Sequence, residues 1–215
     1  MQAARSYLNC LYETPWDSTS LRWLFTYALQ VHWATPLNHT GIPGGENLGC
    51  LRWAPEEDSG DVLPSELLTV APDWTFDEKR PTQGIYVGFP QGFQFQKQGV
   101  NHWAGEEESM AVNHYSTLAQ GPMVIRCVHR NPDTALLMAE STHLFLHALR
   151  QHLMGSPQFR GMDPQALGGP QLLEKATERM FRVDGAWNFA FTYTGEVHLE
   201  SHPLKAWEAK ILGTQ

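Results

Sequence analysis

Apolar residues recur every three or four positions in two stretches of the chain, and this spacing predicts two main helices. In the first, predicted over residues 17–34, Leu21, Leu24, Ala28 and Val31 recur behind serine and aspartate residues that suit a helix N-terminus. Further large apolar residues widen this surface beyond one stripe: Trp23, Phe25, Tyr27, Leu29 and Trp33. Such breadth predicts that the helix belongs to the core.

The second helix is predicted over residues 133–153, after Asn131-Pro132 and before Gly155. Its polar side chains form one narrow stripe: Glu140, His143, His147, Arg150 and Gln151. Leu136 and Leu144 flank that stripe. A helix that is apolar on most sides requires more than one packing partner. We expect the sheet to be one partner and another subunit to be the second.

Alternation of apolar and polar residues predicts strands at 84–89, at 123–130 and over the last third of the chain. In that last third, Asp184-Gly185 has the sequence of a two-residue hairpin turn, and aromatic residues alternate over 187–193. No repeat and no composition boundary divides the chain. The sequence therefore predicts a single α+β domain over residues 1–215, with a mostly antiparallel sheet packed by two main helices.

The net charge of −8 comes entirely from residues 41–120, which carry 4 Lys and Arg against 12 Asp and Glu. The sequence predicts that most of these carboxylates lie in two long acidic loop insertions, at 41–80 and 97–119. A protein that grips phosphates needs a basic face, and none is evident in this sequence. The charge pattern therefore does not favour tight binding of DNA or RNA.

The three cysteines are far apart and form no C-x-x-C pair, which argues against a disulfide framework or a cysteine-based zinc site. No apolar stretch approaches the ~20 residues of a membrane helix, and the N-terminus lacks the apolar core of a secretion signal. We expect a chain that is made in the cytoplasm and has no membrane contact.

His143 and His147 are the strongest candidates for chemistry, because their i, i+4 spacing lets two imidazoles share a zinc ion, with Glu140 one turn earlier. Zinc peptidases, however, place a glutamate directly after the first histidine, and this chain has Leu144 there. No third ligand is evident, and Cys127 lies in a predicted strand without a nucleophile motif. We therefore predict a metal-free histidine pair, no catalytic residues and no cofactor.

From Pro81 onward, the order of elements carries a family resemblance. Pro-x-x-Gly84-Ile-Tyr-Val precedes an acidic segment and then Gly121-Pro-Met-Val-Ile-Arg-Cys-Val. The helix segment Ala135-Leu-Leu-Met-Ala-Glu follows, and then Leu167-Gly-Gly-Pro and the aromatic strands. Together with the first helix, this order resembles the tail-terminator or neck proteins of tailed bacteriophages over about two thirds of the chain.

The resemblance implies a virion structural protein of the tail or neck, made in the host cytoplasm. It would form a homo-oligomeric ring, a hexamer, that ends the tail tube and joins it to the connector. Its partners would be other copies of itself, the connector or head-closure protein and the tail tube protein, while DNA passes through without sequence-specific binding. Other virion parts remain alternatives, namely a head-completion protein, a tail adaptor or a host-recognition module, as does a metal-dependent hydrolase using His143 and His147.

Two sets of residues are predicted to carry this role. The subunit interface is expected on the second helix, at Leu136, Glu140, His143, Leu144 and His147. The channel or docking surfaces are expected at two acidic clusters: Glu56, Glu57, Asp58, Glu106, Glu107 and Glu108. Because unpaired charges are costly to bury, these carboxylates must face water, a cationic partner or a hydrated channel. A channel lined in this way would keep passing DNA from adhering.

Overall fold

The computed structural model describes most of the chain at residue level. The described residues are 18–34, 44–55, 60, 62–95, 102–107, 112–156 and 158–198. At residues 18, 46, 47, 102–107, 112–116 and 194–198 the backbone alone is described.

The described residues form two helices and an eight-stranded sheet, which confirms the predicted α+β class. Helix α1 spans Ser18–Trp33 and helix α2 spans Pro132–Leu153. The strands are β1 Thr69–Pro72, β2 Gly84–Gly88, β3 Gln94–Phe95, β4 His102–Glu107, β5 Val112–His129, β6 Phe159–Leu167, β7 Gln171–Leu172 and β8 Phe181–His198. Their order is β1-β2-β5-β8-β6, with β3 and β4 paired to β5 and β7 paired to β8. Only β1 and β2 pair in parallel.

Strands β5 and β8 form the centre of the sheet. Each has 18 residues, and they pair in antiparallel register without a break, from Val112 opposite His198 to His129 opposite Phe181. Side chains alternate between the two faces of a strand, so Trp187, Phe189 and Phe191 of β8 all enter the same core. This face therefore receives the helices.

Both helices pack on that one face of the sheet. Leu21, Phe25 and Leu29 of α1 share a buried cluster with Met138 and Leu146 of α2. A separate small cluster of Tyr86, Val128 and Met180 lies away from it. Both helices therefore share one face of the sheet, and the small cluster is separate from that packing.

The predicted inward face of α1 is only partly correct. Leu21 and Leu24 are buried as expected, but Val31 and Trp23 are each 45% exposed. The aromatic residues Phe25 and Trp33 enter the core instead and turn the buried face of the helix toward them. A helix with apolar residues on several sides can bury only the side that meets the sheet.

The predicted hairpin at Asp184-Gly185 is wrong, because β8 continues through both residues. Asp184 pairs with Arg126 of β5 in the strand register, and Gly185 pairs with Ile125. The Asp184 carboxylate lies 3.5 Å from Arg126 Nε and 3.3 Å from Arg182 Nε. Two flanking cations and a complete β5 ladder therefore outweigh the local turn preference.

The predicted loop at 97–119 is also wrong in its described part. Strand β4 occupies His102–Glu107, and β5 begins at Val112, so most of this segment is a strand pair. Strand β4 pairs with β5 along one edge, and this pairing satisfies its backbone groups on that side whether or not its side chains are apolar. The acidic run therefore did not indicate a loop.

The 41–80 region is irregular apart from short elements, as expected, but it also contributes to the core. It contains a 3-10 turn at Gly45–Leu48, a bridge between Arg52 and Leu67, and strand β1. Four of its apolar residues are buried in the main cluster: Leu48, Leu51, Leu68 and Val70. The region is thus packed into the same body as the helices.

Candidate interaction site

Helix α2 places the five predicted interface residues at different depths. Leu144 is 52% exposed. Glu140, His143 and His147 are half-buried around it. Leu136 packs against the core of its own chain and offers only part of its side chain. The structure therefore brings Leu144 and its three polar neighbours together and sets Leu136 apart.

His143 and His147 lie against Trp187 of β8. The ring centroids of the two histidines are 4.9 Å apart, and each lies about as close to the indole, at 4.7 Å for His143 and 5.1 Å for His147. His143 Nδ1 is buried with no hydrogen-bond partner among the described residues. The pair thus forms an aromatic support between the exposed part of α2 and the core.

Burial lowers the pKa of His143 below its usual value, and the neighbouring His147 lowers it further by charge repulsion. The folded protein therefore favours neutral His143, while the unfolded chain protonates it at the ordinary histidine pKa of about 6.5. Between the lowered pKa and that value, the unfolded state binds more protons. Stability consequently falls as pH decreases below the ordinary pKa.

We expect the urea midpoint of unfolding to be lower at pH 5 than at pH 7.5, and His143→Gln to reduce this difference. His129, whose pKa burial also lowers, will account for part of the remaining difference. His152→Gln, which changes an exposed histidine of the same helix, serves as the control. A His143→Gln variant with the pH dependence of the parent would contradict this assignment.

The histidine pair has no third metal ligand in the part of the chain that the structure describes. Cys127, on the core side of α2, is buried, and burial raises the pKa of its thiol to about 12. It therefore stays protonated at neutral pH, and a protonated thiol is neither a good nucleophile nor a metal ligand. Its surroundings suit a packing role.

Helix α2 finds part of its second packing partner within its own chain. The His32 and Phe145 rings stack with centroids 4.3 Å apart, and Trp33 Nε1 donates a hydrogen bond of 3.3 Å to Thr142 Oγ1. These contacts from α1 cover one side of α2. The surface around Leu144 is therefore the part of α2 for which we still expect a packing partner from another subunit.

The acidic clusters are described only in part. Glu56, Glu57, Asp58 and Glu108 lie outside the described residues. Glu106 and Glu107 occupy the end of β4, where they pair in the ladder with Asn113 and Val112. This second cluster therefore belongs, at least in part, to a strand that borders β5.

A cleft of about 990 Å³ lies at the other end of the sheet, and sequence reasoning did not find it. Its charged and titratable lining includes Arg80, His129, Arg130 and Glu178, with Arg130 Nη2 2.6 Å from Glu178 Oε2. His129 Nδ1 accepts a 3.0 Å hydrogen bond from the Asn131 backbone. The lining comes from segments far apart in sequence, so no local signal marks it.

Among the described residues, neither helix is both long and apolar enough to cross a membrane. Comparison of the sequence with models of known protein families gives no match, and comparison with curated proteins gives none either.

Proposed function

We propose that this chain is the subunit of a homo-oligomeric ring, a hexamer, at the head-tail junction of a tailed bacteriophage. In this proposal the ring ends the tail tube and joins it to the connector, and its role is structural rather than catalytic. The observation that best supports a self-assembling subunit is the length of β5 and β8 beyond the part that packs on the helices. The virion setting comes from the sequence resemblance.

The extension consists of β4 together with residues 112–118 of β5 and 192–198 of β8, and we name it the β-arm. Where side chains are described, the fully buried residues of β5 lie between Ala119 and Val128, and those of β8 between Val183 and Phe191. Seven residues of each strand continue past this region, a distance of about 23 Å at 3.3 Å per residue. In the proposed ring a neighbouring subunit packs on this extension, and a ribbon of a few strands gains stability from such a layer.

The surface around Leu144 is the second supporting feature. An exposed leucine beside two histidines and Trp187 offers apolar area on a helix that is already fixed by its core contacts. Interfaces gain affinity when such groups are rigid before binding, because less side-chain freedom is lost. In the proposed ring this surface contacts the next subunit, with Leu144 at its centre.

The proposed interface predicts a strong effect of Leu144→Glu on assembly. A carboxylate that is buried without a partner in the contact costs several kcal/mol, roughly the penalty of an unpaired buried charge. In the free subunit the same carboxylate would be largely solvated, because Leu144 is 52% exposed. We therefore expect mass photometry to show loss of the oligomer while the melting temperature of the subunit changes little.

Leu172→Glu is the matched control, since Leu172 is equally exposed, at 53%, but lies on β7. It introduces the same charge on a different surface and should leave the oligomer intact. If Leu144→Glu assembles like the parent chain, the α2 surface is not the subunit contact. If the oligomers of both variants dissociate, the loss of assembly comes from the added negative charge and not from the contact at Leu144.

The acidic residues fit the proposal because DNA would pass through the ring, and carboxylates near its path would repel the phosphates. Residues 41–120 carry the whole net charge of −8, and two of their glutamates, Glu106 and Glu107, lie on the β-arm. Carboxylates near a channel repel the phosphates of passing DNA over about 8 Å at physiological ionic strength. Such repulsion would keep the channel free of adhering DNA without sequence-specific contacts.

A metal-dependent hydrolase would need a third metal ligand beside His143 and His147. No such ligand lies near them among the described residues, so the structure adds no support to this alternative.

A further inference from the structure

The cleft of about 990 Å³ at the end of β5 has a basic lining, and we name it the β5-end cleft. Four separate segments line it, namely 64–69, 80–83, 129–130 and 177–180. Its charged side chains are two arginines, Arg80 and Arg130, and one carboxylate, Glu178. The chain as a whole has a net charge of −8, so the cleft concentrates positive charge in an acidic protein. Its volume is within the range of pockets that hold small molecules.

Hydrogen bonds fix the walls of the β5-end cleft. Gln83 Nε2 donates to the backbone carbonyls of Ser65 and Leu67, each at 2.9 Å, and this joins two of the lining segments. The Thr177 backbone amide donates to the Lys79 carbonyl at 3.0 Å, and this ties a third segment to the second. A ligand that enters a cleft with fixed walls loses less of its binding energy to the ordering of the protein.

Both arginines have donors that can bind an anion. Arg130 contacts Glu178 through Nη2 at 2.6 Å, which engages one nitrogen of a guanidinium group that has five N–H donors. The Arg130 and Glu178 side chains are 69% and 62% exposed, and ion pairs this exposed contribute little to stability. Arg80 is exposed and pairs with no carboxylate of the described residues. An incoming anion can therefore contact both guanidinium groups.

His129 and two threonines add neutral donors to the lining. His129 Nδ1 accepts a 3.0 Å hydrogen bond from the Asn131 backbone amide, so the neutral ring carries its proton on Nε2. Burial lowers the pKa of His129, and the charge of Arg130 lowers it further, so the ring is neutral at pH 7. Thr82 Oγ1 donates a 3.3 Å hydrogen bond to Thr69 Oγ1 in the cleft wall. The lining thus offers many donors and one carboxylate.

We propose that the β5-end cleft binds a small organic anion through a carboxylate or phosphate group, with Arg80 and Arg130 as the anchoring residues. Guanidinium groups match the paired oxygens of both kinds of anion. Leu67 and Met180, also in the lining, provide apolar contact for the rest of the ligand. The inference does not rest on the proposed ring, because all the lining residues belong to one chain.

Isothermal titration calorimetry of the full-length chain with three aromatic probes tests the class of ligand. Phenyl phosphate and benzoate carry the two anionic groups, and benzamide is the neutral counterpart of benzoate. We expect saturable binding of at least one anion and binding of benzamide that is weaker by about tenfold or more, the loss expected for charge-assisted hydrogen bonds. The anion that binds more tightly identifies the preferred group. If neither anion saturates at millimolar concentrations, or if benzamide binds as well as they do, the proposal is wrong.

Substitutions test whether the anion binds in the β5-end cleft. Arg80→Gln and Arg130→Gln should each weaken binding about tenfold, whereas Glu178→Gln removes a competing carboxylate and should strengthen it severalfold. The Arg150–Asp163 ion pair is the matched control, because it is also an arginine–carboxylate contact, at 2.9 Å, but lies between α2 and β6. Arg150→Gln and Asp163→Asn should leave the affinity unchanged.

Two results of this comparison would overturn the proposal. If the control substitutions change the affinity as much as the cleft substitutions do, the anion responds to the overall charge of the protein. If Arg80→Gln and Arg130→Gln both bind the anion like the parent chain, the anion binds elsewhere. Neither result bears on ring assembly, which mass photometry of the same variants measures separately.

Discussion

Replacing Phe189 with alanine is expected to lower the free energy of unfolding by about 3–5 kcal/mol, the range for a large aromatic residue removed from a packed core. Phe189 is fully buried and meets Phe25 of α1 and Phe159 of β6 edge to face, each at a centroid distance of 5.3 Å. The ring thus joins a helix, the central strand and an edge strand. Urea denaturation followed by circular dichroism measures the change.

Phe95→Ala provides the control for this experiment. Phe95 contacts Tyr193 at 5.3 Å but is exposed, so its removal leaves no enclosed cavity. We expect its effect to stay within about 1 kcal/mol, since an exposed side chain adds little to burial. If Phe189→Ala lowers the free energy of unfolding by less than about 1 kcal/mol, α1 and β6 do not meet at the Phe189 ring.

Gly84→Ala is expected to destabilise the fold by about 2 kcal/mol or more, because the new methyl group has no space. Gly84 begins β2 and pairs with Thr69 of β1 in the one parallel pair of the described sheet. A Cβ at this position would overlap the backbone carbonyl of Thr69, and a backbone atom cannot rotate away as a side chain can. The thermal unfolding midpoint should fall accordingly.

Gly169→Ala is the control for Gly84→Ala. It tests whether the loss of stability comes from the close approach of the Thr69 carbonyl to Gly84 or from replacing a glycine with alanine at any position. No atom lies within 4 Å of the position that a Cβ would take at Gly169. The change should be nearly neutral or slightly stabilising, since alanine restricts the unfolded chain. Similar losses at Gly84 and Gly169 would contradict the parallel pairing of β1 with β2.

Local signals sufficed where sequence neighbours decide the structure. Helix α2 begins at Pro132, one residue from its predicted start, because the Asn131 side chain accepts hydrogen bonds from the backbone amides of Asp133 and Thr134. The alternation of Trp187, Phe189 and Phe191 likewise predicted the buried face of β8. Both cases depend on residues within a few positions of each other.

Long-range pairing decided the features that the sequence did not predict. Asp184-Gly185 has a turn sequence, but Arg126, distant in the chain, holds Asp184 in a strand. The β-arm, the parallel pair at Gly84 and the cleft beside His129 all join separated segments. Periodicity within a window cannot show which segments will meet, so these features required the folded structure.

The sequence predicted which residues of α2 lie near one another in the candidate interface, but not how deeply each of them is buried. The helical spacing placed His143, Leu144 and His147 on neighbouring positions of one helix side, and the structure keeps them together. It also buries part of Leu136 in the core of its own chain, and this depends on the path of other elements. Trp187, which supports both histidines, could not be assigned to them from sequence, because it lies on a distant strand.

Negative-stain electron microscopy of the purified full-length chain tests the central claim, assembly into a ring, most directly. We predict closed particles with sixfold symmetry and a central opening, which are lost in the Leu144→Glu variant and retained in the Leu172→Glu variant. Particles of the size of a single 24.3 kDa chain at concentrations of tens of micromolar would contradict it.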